Sequence, residues 1–265
     1  MLPSQTLRMI ARDLRAIHFT PSNADHLLGK YGATIHQKLR PLLEQMLHEG
    51  ATPRLMGLML EQLADSQARW EEEYKAWNFI WSGPRPENEL NQDTYATVTK
   101  LIREARSSLL LSTYNIGASS EIRELIDVIT AHLKSGVLKR FDLFFHPVQI
   151  KDDLKVSADR ERIIRTWFYG KIWDEQVPIN AYIDARLLRP GEITTYQHAK
   201  AVIVNADTPQ GEALVTSANF SGPGQRHNFE AGWLVKSASR ARKLQEHFLK
   251  MVAEGFYIPI TPPQP

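Results

Sequence analysis

The sequence predicts an α/β domain that follows an all-helical N-terminal domain. Three observations point there. Residues 1–81 place apolar side chains at helical spacing, and from about residue 95 helical faces alternate with short β-rich apolar runs. Between the two patterns stands Ser82-Gly83-Pro84-Arg85-Pro86, where two prolines and a glycine cannot continue a helix. The expected division is therefore residues 1–81 and residues 82–265.

In the first part Leu7, Ile10, Leu14 and Ile17 form one helical face. Leu39, Leu42, Leu43, Met46 and Leu47 form another, and Leu55, Leu58, Met59 and Leu63 a third. Pro21, Gly29, Gly50 and Pro53 separate them, so three or four short helices make a small bundle. Glu71, Glu72 and Glu73 mark a solvated helix face between Asp65 and Trp77. Trp70, Trp77 and Trp81 read as core or interface side chains, with a base-stacking platform as the alternative.

In the second part Tyr95, Val98, Leu101, Ile102 and Ala105 share a helix face, and SLLLSTY from Ser108 to Tyr114 is an apolar strand. Ile122, Leu125, Ile126, Ile129 and Leu133 make a second helix that stops at Gly136. Phe141, Leu143 and Phe145 alternate as a strand. Leu154 to Phe168 reads as one helix closing at Gly170, and Ala181 to Asp184 as a short strand. Three more strands are expected at Ala201–Val204, Glu212–Thr216 and Ala231–Val235. Arg240 to Ala253 is a final amphipathic helix, and the proline-rich tail Ile258 to Pro265 is expected to fray.

Composition bounds the function. The 265 residues contain no cysteine, which removes disulfides and cysteine-ligated metal sites and fits a reducing cytoplasm. The N-terminus MLPSQTLRMIARDLRAIHF has no continuous apolar run of the signal-peptide kind, and no stretch of about 18 apolar residues spans a membrane. A net charge of +2 permits nucleic-acid binding without demanding it. The nine histidines show neither H-x3-H nor H-E-x-x-H spacing, so no metal or other cofactor is expected.

The chemistry concentrates between Tyr196 and Gly232. Three polar pairs stand at i and i+2: His198 with Lys200, Ser217 with Asn219, and Asn228 with Glu230. In extended backbone such pairs share a face. Three neighbouring strands thus aim an imidazole, an ammonium, a hydroxyl, an amide and a carboxylate at one place. That set suits attack on a phosphate ester, as nucleophile, cation, hydrogen-bond donors and an orienting carboxylate. Two further H-x-K triplets, His36-Gln37-Lys38 and His132-Leu133-Lys134, fall in helical patterns, where i and i+2 diverge, and are read as surface residues. Ser217 reads either as support for a phosphate or as a cap for the turn after its strand, and Asn228 either as a site residue or as a turn residue. His227 is expected to be a plain loop residue. The Ser221-Gly222-Pro223-Gly224 stretch lacks the G-x-x-x-x-G-K-[ST] pattern and is expected to be a flexible groove rim.

His198-Ala199-Lys200, Ser217-Ala218-Asn219 and Glu230 resemble the signature of the phospholipase D superfamily: H-x-K-x4-D, then S-x-N, then a glutamate. The match covers residues 82 to 255, and the separation between Asn219 and Glu230 is similar to that in the family's small nucleases. Asn205 stands at the motif aspartate, with Asp207 close by. The Trp-Ser-Gly-Pro turn, the helical N-terminus and the single motif further resemble the phospholipase-D-like component of the DISARM anti-phage systems.

The resemblance implies a mixed sheet flanked by helices and a metal-independent phosphodiesterase acting on DNA in the cytoplasm. It implies His198 as nucleophile, Lys200 and Asn219 on the phosphate oxygens, Ser217 in support and Glu230 orienting the imidazole. It also implies a homodimer that shares one site, with other defence-system subunits as partners and no membrane. Lys200, Arg226 and Arg240 are the expected phosphate contacts. A phospholipid headgroup is the alternative substrate, and a non-catalytic nucleic-acid-binding or assembly subunit the alternative role.

Overall fold

The computed structural model describes residues 2–16, 20–84, 92–117, 119–174, 176–189, 196–226 and 228–262. His227, Arg85, Pro86 and Ile17 lie outside them. The chain forms two units, Met1–Lys75 and Ala76–Pro265. The division precedes the proline-rich stretch because Trp77–Ser82 is already a strand of the second unit's sheet.

The first unit holds α1 (Ser4–Ala16), α2 (Ala24–Gly29), α3 (Ala33–His48) and α4 (Pro53–Lys75). α1 buries Leu7, Ile10, Ala11 and Leu14 against Met56, Gly57, Leu60 and Ala64 of α4. This corrects the expected face of α4. Leu55, Leu58, Met59 and Leu63 are each about half exposed (46–53%). Both sides of the helix are apolar, and close approach decides between them: a side chain at position 57 would stand 2.8 Å from the Ala11 carbonyl, so only glycine lets α1 settle there. Leu42 of α3 likewise stays exposed, while Leu39 and Leu43 are buried. His36 and Lys38 lie on α3.

The second unit contains β1 (Trp77–Ser82), β2 (Gln92–Asp93), α5 (Thr94–Glu104), β3 (Ser108–Thr113), α6 (Ser120–Lys134), β4 (Arg140–Phe145), α7 (Lys151–Val156), α8 (Arg160–Lys171) and β5 (Asn180–Asp184). It continues with β6 (Ala201–Val204), β7 (Glu212–Thr216), α9 (Gly222–Arg226), β8 (Glu230–Val235), α10 (Ala238–Ala253) and β9 (Tyr257–Pro259). The strands form one mixed sheet in the order β2-β1-β8-β7-β6-β3-β4-β5-β9.

Helices flank both faces. On one, α5, α6 and α8 press Val98, Leu101, Ile122, Leu125, Ile164 and Phe168 onto Leu109, Leu111, Leu143, Val202, Val204 and Leu214. On the other, Ala241 and Phe248 of α10 meet Leu110, Phe144, Ala201, Ile203 and Ala213. β3 and β4 are covered on both faces, which explains their near-continuous apolar sequence. Each large side chain so buried contributes about 1.5–3 kcal/mol. No helix among the described residues is long and apolar enough to cross a membrane.

Three expectations need correction. The stretch read as one helix from Leu154 is two, because Asp159 accepts a hydrogen bond from the Arg162 amide (3.1 Å) and starts α8 afresh. The tail does not fray from Ile258. Tyr257–Pro259 pairs antiparallel with β5 at the sheet edge, where Pro259 is tolerated. The glycines after Asn219 form α9 rather than a flexible rim, and Gly222 and Gly224 are buried. A side chain at position 224 would meet the Asn219 backbone at 2.8 Å.

Candidate active site

Strand direction gathers the polar residues at one end of the sheet. β3, β4 and β5 run parallel, and β6 runs antiparallel to β3. The residues entering β6 therefore lie beside those leaving β3 and β4. β7 and β8 alternate in direction after β6, so Ser217 follows the end of β7, and Glu230 opens β8, at that same end. The structure thus brings together all five expected site residues from three adjacent strands and the turns at their ends. Ligands of α/β sheets bind outside the carboxyl ends of parallel strands, and the polar set stands there.

The imidazole of His198 is exposed and the Lys200 side chain beneath it is buried. Lys200 Nζ lies 2.9 Å from His198 Nδ1, 3.0 Å from Nε2 and 2.9 Å from the His198 carbonyl oxygen. Loss of water around the ring, followed by the Lys200 charge, holds the His198 pKa below the usual histidine value. Burial lowers the Lys200 pKa too, and the Glu230 carboxylate partly restores it.

Glu230 differs from its expected placement. Its two oxygens accept from the Ser217 hydroxyl and from Asn228 Nδ2 (3.2 Å), and the near neighbour of the His198 ring is Lys200. The Glu230 charge acts on Lys200 and the Lys200 charge on the His198 ring, a row of electrostatic influence. Ser217 Oγ also accepts from the Ala231 amide (3.1 Å), which fixes Ser217 across the gap to β8. Asn228 thus has a partner in the site as well as a place in the turn. The buried Asn219 Oδ1 has no hydrogen-bond partner among the described residues. The Asn219 carbonyl oxygen accepts from Gln225 Nε2 (2.9 Å) of α9, so the short helix anchors its backbone. The Phe220 amide donates to Thr113 Oγ1 (2.9 Å) and the Gly117 amide to the Phe220 carbonyl (2.8 Å), which ties the Ser217–Phe220 turn to the end of β3.

Sequence reasoning missed one wall of the site. Tyr114 leaves β3 with its ring 5.0 Å from His198 and stacked on His146 at 5.2 Å. Tyr196 packs edge-on to both Tyr114 and His146, and Lys151 Nζ donates to its hydroxyl (2.9 Å). Burial pushes the His146 pKa down to about 4. The available signal was position: His146 immediately follows an alternating strand, at the sheet end where sites collect.

Asn205, at the far end of β6, is a structural tie. It is the single non-glycine residue with positive φ (52°) among the described residues. Its Oδ1 accepts from the amides of Arg106 (2.7 Å) and Ser107 (3.1 Å), and its Nδ2 donates to the Glu104 carbonyl (3.1 Å). Asp207 accepts from the hydroxyls of Ser107 (2.5 Å) and Ser108 (3.0 Å). Arg226 lies 4.0 Å over the Tyr95 ring, and Arg240 5.0 Å over Trp77. The other two H-x-K triplets are helical, His132 and Lys134 lying on α6.

Comparison with known proteins gives this arrangement a family. No curated protein matches the chain in sequence. Among solved structures it is similar to Nuc, a phospholipase D family member from Salmonella typhimurium, with 14% identity, TM-score 0.44, and 70% of this chain and 97% of that one covered. It is similar to NucT from Helicobacter pylori, with 13% identity, TM-score 0.42, and coverage of 60% and 87%. It is also similar to phosphatidylserine synthase from Haemophilus influenzae Rd KW20, with 14% identity, TM-score 0.45, and coverage of 85% and 54%. Residues 98–252, more than half of the chain and all five candidate site residues among them, match the family described as cardiolipin synthase, PLD-like domain. The chain belongs to this phospholipase-D-like family.

Proposed function

We propose that the protein is a metal-independent phosphodiesterase that cleaves DNA through a phosphohistidine on His198. The observation that carries this reading is the exposed imidazole held over a buried ammonium, with the Asn219 side chain and a serine–glutamate pair at the same end of the sheet. Such a site attracts an anion and offers it a nucleophile that is unprotonated at neutral pH. A ring nitrogen of His198 attacks phosphorus and a P–N bond forms. Lys200 neutralises the non-bridging oxygens as charge builds, and the Asn219 amide, turned toward the phosphate, donates to them. The P–O bond to the leaving group breaks, and that oxygen needs a proton.

A second acid must therefore face the nucleophile. Burial disfavours the protonated form of His146, so the acid is assigned elsewhere. A second copy of the chain, related by a two-fold axis beside the site, supplies its own His198. The same group then takes a proton from water, which attacks phosphorus and releases the histidine. Glu230 sets the row of charges by holding Ser217 and attracting Lys200.

Nucleic acid is preferred to a phospholipid headgroup on the similarity of the Asn219–Glu230 separation to the family's small nucleases. DNA, a cytoplasmic place and a role in anti-phage defence alongside other subunits follow from the resemblance to the DISARM component. One paired assay tests the reading: labelled single-stranded DNA and phosphatidylcholine vesicles, each with excess chelator. Cleavage of DNA alone, undiminished by chelator, is expected. Cleavage of the vesicle lipid alone would make the protein a phospholipase. A mobility shift with both substrates intact would make it a binding subunit.

A further inference from the structure

The proposed chemistry leaves one wall of the site unused. Tyr114, Tyr196 and Lys151 stand along it, backed by the buried His146, and none takes part in attack, charge neutralisation or proton transfer. Tyr196 and His198 both pack their rings on Tyr114, with centroids 6.0 Å and 5.0 Å away. The two residues are an i, i+2 pair on the approach to β6. Such a step along extended chain spans roughly 6–7 Å, comparable with the step from one phosphate to the next on a nucleic-acid strand.

Lys151 is held to this wall from two directions. Its Nζ donates to the Tyr196 hydroxyl (2.9 Å) and lies 5.0 Å over the Tyr196 ring. The turn before it is tied to the turn after Tyr114, because Gln149 Nε2 donates to the Ile116 carbonyl (2.6 Å). The next residue, Asp152, is paired with Lys155 (2.9 Å). Among the described residues the Lys151 ammonium therefore has a phenol as partner and no carboxylate in ion-pair contact. The Tyr196 oxygen accepts from Lys151, which leaves its O–H to donate, and the ammonium keeps further N–H donors. Tyr196 is 40% exposed, so these donors are within reach of a ligand.

We infer that Lys151 and Tyr196 form a subsite for a second phosphate, the one next to the scissile phosphate on a nucleic-acid strand. The inference rests on the nucleic-acid reading of the site. A group of donors that includes an ammonium asks for an anion. An aromatic wall can instead cage a quaternary ammonium group. Here the rings already carry cations, Lys151 over Tyr196 and Lys200 5.8 Å over Tyr114, so a choline headgroup would be repelled. Between the two cations stands the Tyr114 ring. A nucleoside joining two phosphates gains from lying against such a ring, and the glycerol joining two lipid phosphates gains far less.

The test uses the full chain and a matched pair of substrates: the 4-nitrophenyl ester of thymidine 5′-phosphate, and the same ester with an added 3′-phosphate. The isomeric pair, with the ester on the 3′ side and the added phosphate on the 5′ side, covers the other strand polarity. The readout is the ratio of kcat/KM with the added phosphate to kcat/KM without it. This ratio cancels any effect of a substitution on folding or on the chemical step. In one of the two pairs the wild-type ratio is expected to be about ten or more, the worth of a hydrogen bond to a charged group. Lys151→Met is expected to bring it to about one, and Tyr196→Phe, which keeps the ring and loses the O–H, to a value between. A wild-type ratio near one in both pairs would overturn the subsite and, with DNA still cleaved, leave the nuclease reading standing. A high ratio unchanged in Lys151→Met would also overturn it, since the second phosphate would then rest elsewhere. Turnover of bis(4-nitrophenyl) phosphate and of vesicles of cardiolipin, a lipid with two phosphates, but of neither nucleotide ester nor DNA, would remove the nuclease reading and the nucleotide subsite with it.

Discussion

The two ends of β6 carry the two halves of one sequence signature and behave differently. At one end the polar atoms are left facing outward. His198 is exposed, Lys200 is buried beneath it with a lowered pKa, and Asn219 Oδ1 has no partner among the described residues. At the other end Asn205 uses both atoms of its amide, and Asp207 accepts from two hydroxyls. A site that binds a ligand keeps unspent hydrogen-bonding capacity, and a structural tie spends it within the fold. The asparagine at the motif aspartate therefore belongs to architecture. Its Nδ2 donates to the Glu104 carbonyl, a bond that an ionised carboxylate cannot make.

The largest predicted effect tests the outward end. His198→Ala is expected to lower DNA cleavage by at least about 10³-fold, since the proposed nucleophile and acid vanish together in the proposed dimer with a shared site. The melting temperature should stay within about 2 °C, because the ring packs on the surface. Mixing His198→Ala with Lys200→Ala subunits, with solution mass measured in parallel, checks the sharing. A fully active monomer would break the comparison at its root.

The inward end should respond in the opposite sense. Asn205→Leu is expected to cost about 2–3 kcal/mol in urea unfolding, because two backbone amides and a carbonyl lose their partner and φ is positive there. Asn205→Asp keeps the acceptor and loses one donor, so about 1 kcal/mol is expected. The folded fraction of either variant should cleave within about three-fold of wild type, read against a stability-corrected concentration. A loss of turnover comparable with that of His198→Ala at full stability would place Asn205 in the chemistry.

Legibility in the sequence followed the same divide. The strands β6, β7 and β8 were readable because each alternates or runs apolar beside a polar pair, and the i, i+2 rule placed their side chains together. α5, α6 and α10 were readable from one apolar stripe each. α4 was not, because Leu55, Leu58, Met59 and Leu63 are as apolar as Met56, Leu60 and Ala64, and only the close approach at Gly57 selects a face. β1 was hidden in an apparent helix, although Trp77, Phe79 and Trp81 alternate. Trp70 and Trp77 proved exposed and Trp81 half-buried, so none of the three lies in a core. β9 was missed because proline signals suited a frayed end, while an edge strand tolerates them. The bond between Asn228 and Glu230 follows the i, i+2 spacing, but the bond from the Ser217 hydroxyl joins the turn after β7 to β8, which spacing along the chain does not encode.

Between the two ends in character is His146, buried like Asn205 but adjacent to the site. Its folded pKa of about 4 lies below the unfolded value of 6.5, so the unfolded chain takes up the proton first. Stability is fully present above pH 6.5 and is lost as pH falls toward 4. Against His146→Phe, the wild type should lose on the order of 2 kcal/mol more over that window, measured by urea midpoints at stepped pH. Parallel curves for the two proteins would mean that His146 reaches solvent and titrates normally.

The smallest effect is a shift in pH dependence, and it bears on the row formed by Glu230, Lys200 and His198. In the proposed dimer one imidazole must be unprotonated to attack and its counterpart protonated to donate. The pair therefore titrates together and gives a bell in kcat/KM. Desolvation and the Lys200 charge both lower the His198 pKa, so the bell should centre below 6.5. Lys200→Met removes the second cause and keeps the first, so the bell should move upward while remaining below 6.5. The rate is also expected to fall, since Lys200 is proposed to stabilise the transition state, but the position of the bell can be read at any rate. bis(4-nitrophenyl) phosphate is the substrate of choice, because pH-dependent DNA binding would otherwise enter the profile. A bell already centred above 6.5 in the wild type would show that Glu230 sets the ring directly, reaching past Lys200. An unmoved bell in Lys200→Met would show that the ammonium in the resting structure withdraws before chemistry begins.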